Sequence, residues 1–348
     1  MYQNILVYSM VNIGDVLLST SAVALLRQAY RQAKITMMVR PEAADLIQDH
    51  PLIDEVLTFD YRGQDRRLSA QWRFWRELKA RNFDLAISFD RKSRPALLCL
   101  LAGIPVRVGP DRVFDNNASW VTQLYTHVIS IPFDLANHLQ ADTYQEIVRR
   151  FAGISGSANP VLGRITQEHE AKSRELLSQL PVKDYRIALC IKGTFALKNW
   201  PRERFAELVN RLDNKFNATF YIVGAGSDLA YADEFISMTN ATVANFCGQT
   251  TLRSLAALLL QTDLLLTVDT GGTHIAATTG IPMVVLYGCT SPKRWAPYSS
   301  QAVTISKDPD CCPCALPEDG CDMRDCLAAI TVDEVYGAAA AFLGQNAK

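Results

Sequence analysis

The stretch Asp269-Thr270-Gly271-Gly272-Thr273-His274 puts a carboxylate, two hydroxyls, two glycines and an imidazole into consecutive positions. Glycine lets a ligand approach the backbone, and the first turn of a helix presents unpaired N–H groups at the positive end of its dipole. Residues of these types at a helix start suit a pyrophosphate, with His274 as an added donor. Lys192, Thr194 and Lys198 share a loop further upstream, where ammonium groups can neutralise phosphate oxygens. Asp15 follows Gly14 in the loop just after an apolar N-terminal run. Asp15 and Asp269 also fit a plainer role, the N-cap of the helix that follows each of them.

Strands and helices must carry these residues to one place. The continuous apolar run 264–268 is the pattern of a strand buried on both faces of a parallel sheet. Residues 275–279 form a short helix stopped by Gly280 and Pro282, and 283–287 is the next strand. Near the N-terminus, strands at 5–8, 34–39 and 56–59 alternate with helices at 16–30 and 43–49. That order predicts a doubly wound sheet, with ligands at the carboxyl ends of its strands. Asp15 lies on that edge.

A linker is expected at 154–160, Ile-Ser-Gly-Ser-Ala-Asn-Pro. A helix at 167–179 and a strand at 186–191 open a second α/β unit, whose first loop holds Lys192 and Lys198 before a helix at 202–212. After a strand at 220–223, Gly224-Ala-Gly226-Ser227-Asp228 carries two glycines of a dinucleotide fingerprint but has Leu229 where the third belongs. Asp228 remains a candidate for a ribose hydroxyl. A helix at 252–260 precedes the central motif, and Thr331-Val-Asp-Glu334 is a capping box for a last helix. The domains expected are 1–160, 181–330, and a C-terminal helix over 331–348 that packs back on them, with a cleft between the two larger ones.

The 348 residues suit two domains, and 49% hydrophobic with 20% charged residues is a soluble, globular composition. A net charge of −1 excludes a global polyanion binder, so no nucleic-acid partner is expected. Between residues 61 and 94 the balance is locally basic. Arg62, Arg66, Arg67 and Arg73 are placed between the third strand and a helix at 71–81, and Arg107 and Arg112 follow a segment, 96–102, expected to be buried. Arginines of this kind suit phosphate or carboxylate groups on a substrate. No signal peptide is read at the N-terminus, and the longest apolar run, 96–104, is too short to span a bilayer. A cytoplasmic protein is expected, working in part at a membrane surface.

Of nine cysteines, Cys99, Cys190, Cys247 and Cys289 sit singly in apolar surroundings and read as reduced core thiols. Cys311, Cys312, Cys314, Cys321 and Cys326 cluster. Their spacing allows zinc or iron at Cys311, Cys314, Cys321 and Cys326, although reduced thiols are the expected state.

Taken together, Gly14-Asp15, Lys198-Asn199-Trp200-Pro201, Asp269 to His274 with Gly280-Ile281-Pro282, and Tyr287-Gly288-Cys289-Thr290-Ser291-Pro292 resemble glycosyltransferase family 9, the ADP-heptose:lipopolysaccharide heptosyltransferases. The resemblance spans both halves. It implies the α/β GT-B fold, two Rossmann-like domains facing a central cleft. It also implies an inverting transfer of heptose from ADP-heptose to a lipid A–core saccharide, with no cofactor required. Asp15 would then be the general base, and Thr194 and Lys198 would bind the donor phosphates. Asp269 would hold sugar hydroxyls, while Thr270, Gly271, Gly272 and His274 clasp the pyrophosphate. Phe246 and Gly248 would border the adenine and Asp228 the ribose. Arg62, Arg66, Arg67 and Arg112 would meet a phosphorylated acceptor. The chain departs from the family in having Asp228 at a turn that often carries Glu, and Asn199 where His is commoner. A nucleotide-sugar epimerase of the same shape, or a non-catalytic metal- or redox-binding protein using the cysteines, are the alternative readings.

Overall fold

A computed structural model describes residues 2–117, 119–307, 311, 314, 321 and 325–345. The chain divides into two compact units, Met1–Arg164 and Ile165–Lys348. The first runs β1 (Asn4–Ser9), α1 (Ile13–Ala29), β2 (Lys34–Val39), α2 (Pro41–Ile47), β3 (Glu55–Thr58), α3 (Leu68–Ala80), β4 (Leu85–Ser88), α4 (Ser93–Leu101), β5 (Val106–Pro110), β6 (His127–Ile129) and α5 (Gln140–Ala152). The second runs α6 (Gln167–Leu177), β7 (Tyr185–Cys190), α7 (Arg202–Lys215), β8 (Ala218–Ile222), α8 (Leu229–Ile236), β9 (Val243–Asn245), α9 (Leu252–Leu259), β10 (Leu264–Val268), α10 (Gly271–Thr279), β11 (Met283–Tyr287), α11 (Pro292–Trp295), β12 (Ala302–Ser306), α12 (Asp325–Ala328) and α13 (Val332–Gln345).

Each unit holds a six-stranded sheet, in the orders β3-β2-β1-β4-β5-β6 and β12-β11-β10-β7-β8-β9. All pairings are parallel. Parallel strands need crossover connections, which here lay helices on both faces, so the central strands can be apolar throughout. β4, β8, β10 and β11 are buried at every residue. Counted from its own first strand, each sheet has the same order, and it reverses direction between β1 and β4 and between β7 and β10. Such switch points leave a crevice at the carboxyl ends of the two strands, where doubly wound proteins bind ligands.

The boundary falls later than the expected linker. Residues 154–160 are irregular, but the segment that follows stays tied to the first unit. Ala158 N donates to Gln145 Oε1 at 2.9 Å, Val161 N to Thr20 Oγ1 at 2.9 Å, and Gly163 N to Leu46 O at 2.8 Å. His50 completes the strap. Its Nδ1 accepts from Leu52 N at 3.1 Å, which leaves Nε2 to donate to Val161 O at 3.0 Å. α6, in turn, belongs to the second unit, where Ser173 Oγ donates to Ala257 O. The capping box at Thr331 forms as read, and Val335, Ala339 and Leu343 of α13 enter the core of the second unit.

His50 makes the first unit sensitive to acid. Burial lowers its imidazole to about 4 from an ordinary 6.5. The unfolded chain therefore takes up a proton as pH falls below about 6.5 while the folded chain does not, and stability present above that value drains away down to pH 4. The loss is on the order of 3 kcal/mol. Asp90, which burial pushes up to about 6, works in the opposite sense across the same window. We expect His50→Gln to flatten the acid limb of a plot of melting temperature against pH, relative to the unaltered chain, with a lower melting temperature at pH 7.

Candidate functional site

In the first unit the switch point lies between β1 and β4. Asp15 is not the cap of α1. The helix starts two residues earlier, at Ile13, with Asn12 as its N-cap, which puts Asp15 in the first turn. Its side chain is buried, 8% exposed, where an unpartnered carboxylate would be costly. Tyr144 Oη, from α5, donates to Asp15 Oδ1 at 2.9 Å. The dipole of α1 favours the negative charge there as well. A charged acceptor fixed beyond β1 is thereby built from two helices that pack on each other.

Asp90, which the sequence analysis did not single out, sits just after β4 and is fully buried. Its Oδ2 accepts from Met10 N at 2.6 Å and its Oδ1 from Lys92 N at 2.7 Å, which ties the loop after β1 to the loop after β4. Both oxygens are spent on backbone, so Asp90 braces the edge on which Asp15 stands.

The expected cationic set behaves unevenly. Arg62, Arg66 and Arg67 are exposed, and none forms an ion pair among the described residues. Arg112 is committed elsewhere: it donates to Asn116 Oδ1 at 3.1 Å and to Ile131 O, with Asp111 at 3.8 Å. Arg107 likewise donates to Leu124 O at 2.8 Å and Ile104 O at 2.6 Å. Both brace loops around β5 and β6 instead of standing open to an anion. Arg73 is not on the loop but within α3.

In the second unit the switch point lies between β7 and β10, and it holds a buried ion pair. Lys198, on the loop after β7, reaches Asp269, directly after β10, at 2.6 Å. The two side chains are 14% and 7% exposed, so the pair is shielded from solvent. Thr290, from the loop after β11, donates to the same Asp269 Oδ2 at 2.7 Å. The loop that carries Lys198 is anchored by Trp200, which is fully buried, stacks edge-on to Phe205 and donates to Ile330 O at 3.2 Å. Asn199 Oδ1 accepts from Gly193 N at 2.8 Å, so the Asn that departs from the family pattern closes this loop.

Gly193 is obligatory for the bridge. A Cβ there would stand 2.6 Å from Lys198 Cβ and 3.3 Å from Asp269 O. We expect Gly193→Ala to displace Lys198 and break the ion pair, lowering the melting temperature of the second unit and weakening any anion bound by Lys198. Calorimetric melting with and without ADP checks both.

Asp269 is not the N-cap of α10 either. Thr270 is, and its side chain makes no capping bond, so the first amides of α10 have no side-chain acceptor from the cap. His274 lies in this helix, 5% exposed, and its Nδ1 finds no hydrogen-bond partner among the described residues. Burial lowers the imidazole to about 4, with Asp269 opposing that shift and Lys198 adding to it, so His274 is neutral at pH 7. A buried, unsatisfied ring nitrogen is costly unless a ligand completes it. Thr273 is turned to the fold, donating to Val268 O at 3.0 Å.

The remaining expected donor residues spread along the same sheet edge. Asp228 is paired with Lys192 at 2.6 Å and also accepts from Ala225 N at 2.9 Å. Gly248 has φ +74, and a Cβ on it would meet Gly226 Cα at 2.8 Å, so two glycines let the loops after β8 and β9 touch. Phe246 is buried against Tyr221, and Thr194 is exposed.

Among the described residues no group of three or more His, Cys, Asp or Glu is arranged to hold a metal ion. Cys312 lies outside the described residues. Cys99, Cys190, Cys247 and Cys289 are free and buried, as expected of core thiols, and the Cys289 carbonyl accepts from Cys314 N at 2.8 Å.

Two Rossmann-type sheets of this order, each in its own unit, are the architecture of the GT-B fold. The chain belongs to glycosyltransferase family 9 (heptosyltransferase), whose profile matches residues 71–322. It is 25% identical over 295 residues to the lipopolysaccharide core heptosyltransferase OpsX of Haemophilus influenzae, across 84% of this chain and 81% of that protein. The fold is shared with the family 9 glycosyl transferase of Veillonella parvula (TM-score 0.84, 22% identity, 99% of this chain and 98% of that one). It is shared too with the ADP-heptose LPS heptosyltransferase II of Escherichia coli (TM-score 0.80, 23% identity, 99% and 100%). The protein is therefore a glycosyltransferase.

Proposed function

We propose that this glycosyltransferase moves a heptose from ADP-heptose to a saccharide of the lipopolysaccharide core, with inversion at the anomeric carbon. The observation that carries the reading is the buried Lys198–Asp269 pair at the second switch point, next to a helix N-terminus whose His274 has an unsatisfied ring nitrogen. An ammonium has three donors, so Lys198 can keep Asp269 and still bind phosphate oxygens. Amides of Gly271 and Gly272 and the His274 ring add donors around the same diphosphate. Among the described residues no hydrogen bond is made to Asp269 Oδ1, which suits a sugar hydroxyl. Asp228, already held by Lys192, and the Phe246–Gly248 backbone would meet ribose and adenine.

Asp15 takes the proton of the acceptor hydroxyl as its oxygen bonds to the anomeric carbon. The bond from that carbon to the diphosphate breaks, and ADP leaves with the electron pair. Such a transition state is oxocarbenium-like, so one carboxylate on the attacking side and stabilised phosphates on the other are the essential requirements. Exposed Arg62, Arg66 and Arg67 suit a phosphorylated acceptor. The names of the relatives, which include an ADP-heptose lipopolysaccharide heptosyltransferase, support the donor and acceptor chosen.

The test is a transfer assay with ADP-heptose or UDP-linked sugars and a core saccharide, read by NMR of the product. Transfer from ADP-heptose alone, with inverted anomeric configuration, is the expected result. Transfer only from a uridine donor would overturn the donor assignment, and consumption of donor without acceptor would favour an epimerase.

A further inference from the structure

The first unit carries an apolar surface that the proposed reaction does not use. α3 buries Ala70, Phe74 and Leu78 in the core, yet Leu68 and Trp72 on its outer side are 83% and 57% exposed. The segment 96–102, expected to be buried, falls on α4 and its C-cap, and only one side of that helix is covered. Leu97, Leu100 and Leu101 are 43%, 38% and 55% exposed. The two helices enclose an open groove of about 370 Å³ between Trp72 and Trp75 on one wall and Leu97 and Leu101 on the other, with Arg94 at its end. Large apolar side chains grouped in this way mark an interaction surface.

The charges around the groove select the partner. Arg76 lies over the Trp72 ring at 4.9 Å and Lys79 over Trp75 at 5.4 Å. The acids of the region are engaged: Glu77 with Arg81, and Asp65 with the amide of Asp60. Arg73, Arg76, Lys79 and Arg94 form no ion pair among the described residues. Tryptophan and leucine side chains with arginine and lysine beside them match the level of a bilayer where acyl chains give way to phosphates. A second copy of the chain is a poor fit, because a two-fold contact would set this cationic face against itself. We infer that α3 and α4 form a docking face for a bilayer containing anionic phospholipid, with Trp72, Leu97 and Leu101 inserted at the interface and Arg73, Arg76, Arg94 and Lys79 on the phosphates.

This surface bears on the reading of the acceptor as a lipid-linked saccharide, and vesicles without acceptor keep the two questions apart. Protein is sedimented with vesicles of phosphatidylglycerol and phosphatidylethanolamine, or of phosphatidylcholine alone. We expect binding to the first only, with a blue shift of tryptophan emission, weakening as salt is raised. Arg76→Gln and Lys79→Gln should each lower vesicle affinity about fivefold, and the double variant Trp72→Ser/Leu101→Ser should abolish the emission shift. All of these residues are at the surface, so melting temperatures and transfer to a water-soluble, delipidated acceptor should stay unchanged. Equal binding to both vesicle types, or none to either, would overturn the inference. So would self-association without lipid that disappears in the double variant, because the face would then belong to a second copy.

Discussion

Asp15→Asn is expected to lower kcat by about 10²- to 10⁴-fold, the range that removal of a general base produces. The amide is isosteric and still accepts the Tyr144 hydroxyl, so the fold around α1 and α5 should hold. ADP affinity should be unchanged, because the residues proposed to hold the nucleotide are all in the second unit. Tyr144→Phe supplies the comparison. It removes the Oη–Oδ1 bond of 2.9 Å but leaves the carboxylate, so it should reduce kcat far less and shift the pH-rate profile instead. An Asp15→Asn enzyme with full kcat would remove Asp15 from the mechanism.

The second large effect concerns Lys198. Lys198→Ala leaves Asp269 buried with Thr290 as its one remaining side-chain donor among the described residues, and breaking a buried ion pair costs about 3–5 kcal/mol. The same change takes away a positive charge from the departing diphosphate, which is worth about 10²- to 10³-fold in kcat. The stability effect and the catalytic effect can be separated. Adding Asp269→Asn to the Lys198 variant should recover part of the lost stability, because no uncompensated charge is then buried, yet should recover no activity. Additive losses of stability in the double variant would mean that the two side chains act independently. Melting temperature and kcat, measured on the two single variants and the double, decide it.

The β10–α10 turn was legible in the sequence because its parts are close together in the chain. A five-residue apolar strand, a glycine pair and a helix stop at Gly280, with φ +72, specify β10–α10 almost unaided. Position within that frame was less legible. Both aspartates read as possible caps, and each proves to be one residue away from that role or more, Asp269 before the cap Thr270 and Asp15 inside the first turn of α1. What decides their function lies far along the chain. Tyr144 is 129 residues from Asp15, and Lys198 is 71 residues from Asp269. Short strands hid other parts. β4 has four residues with no alternation, so Asp90 behind it had no frame to mark it. For α4, composition reports apolarity but not which side a neighbour covers, and the exposed leucines read as core. The arginines were visible as charge, but only packing divides Arg112, spent on Ile131 and Asn116, from Arg62, Arg66 and Arg67.

Division of labour between the two units is most directly tested by calorimetric titration of ADP into three proteins: the unaltered chain, Asp15→Asn and Lys198→Ala. The account predicts equal affinity for the first two and binding weaker by about tenfold or more for the third. If Asp15→Asn lost ADP while Lys198→Ala retained it, the nucleotide would be gripped elsewhere and the assignment of both residues would be contradicted.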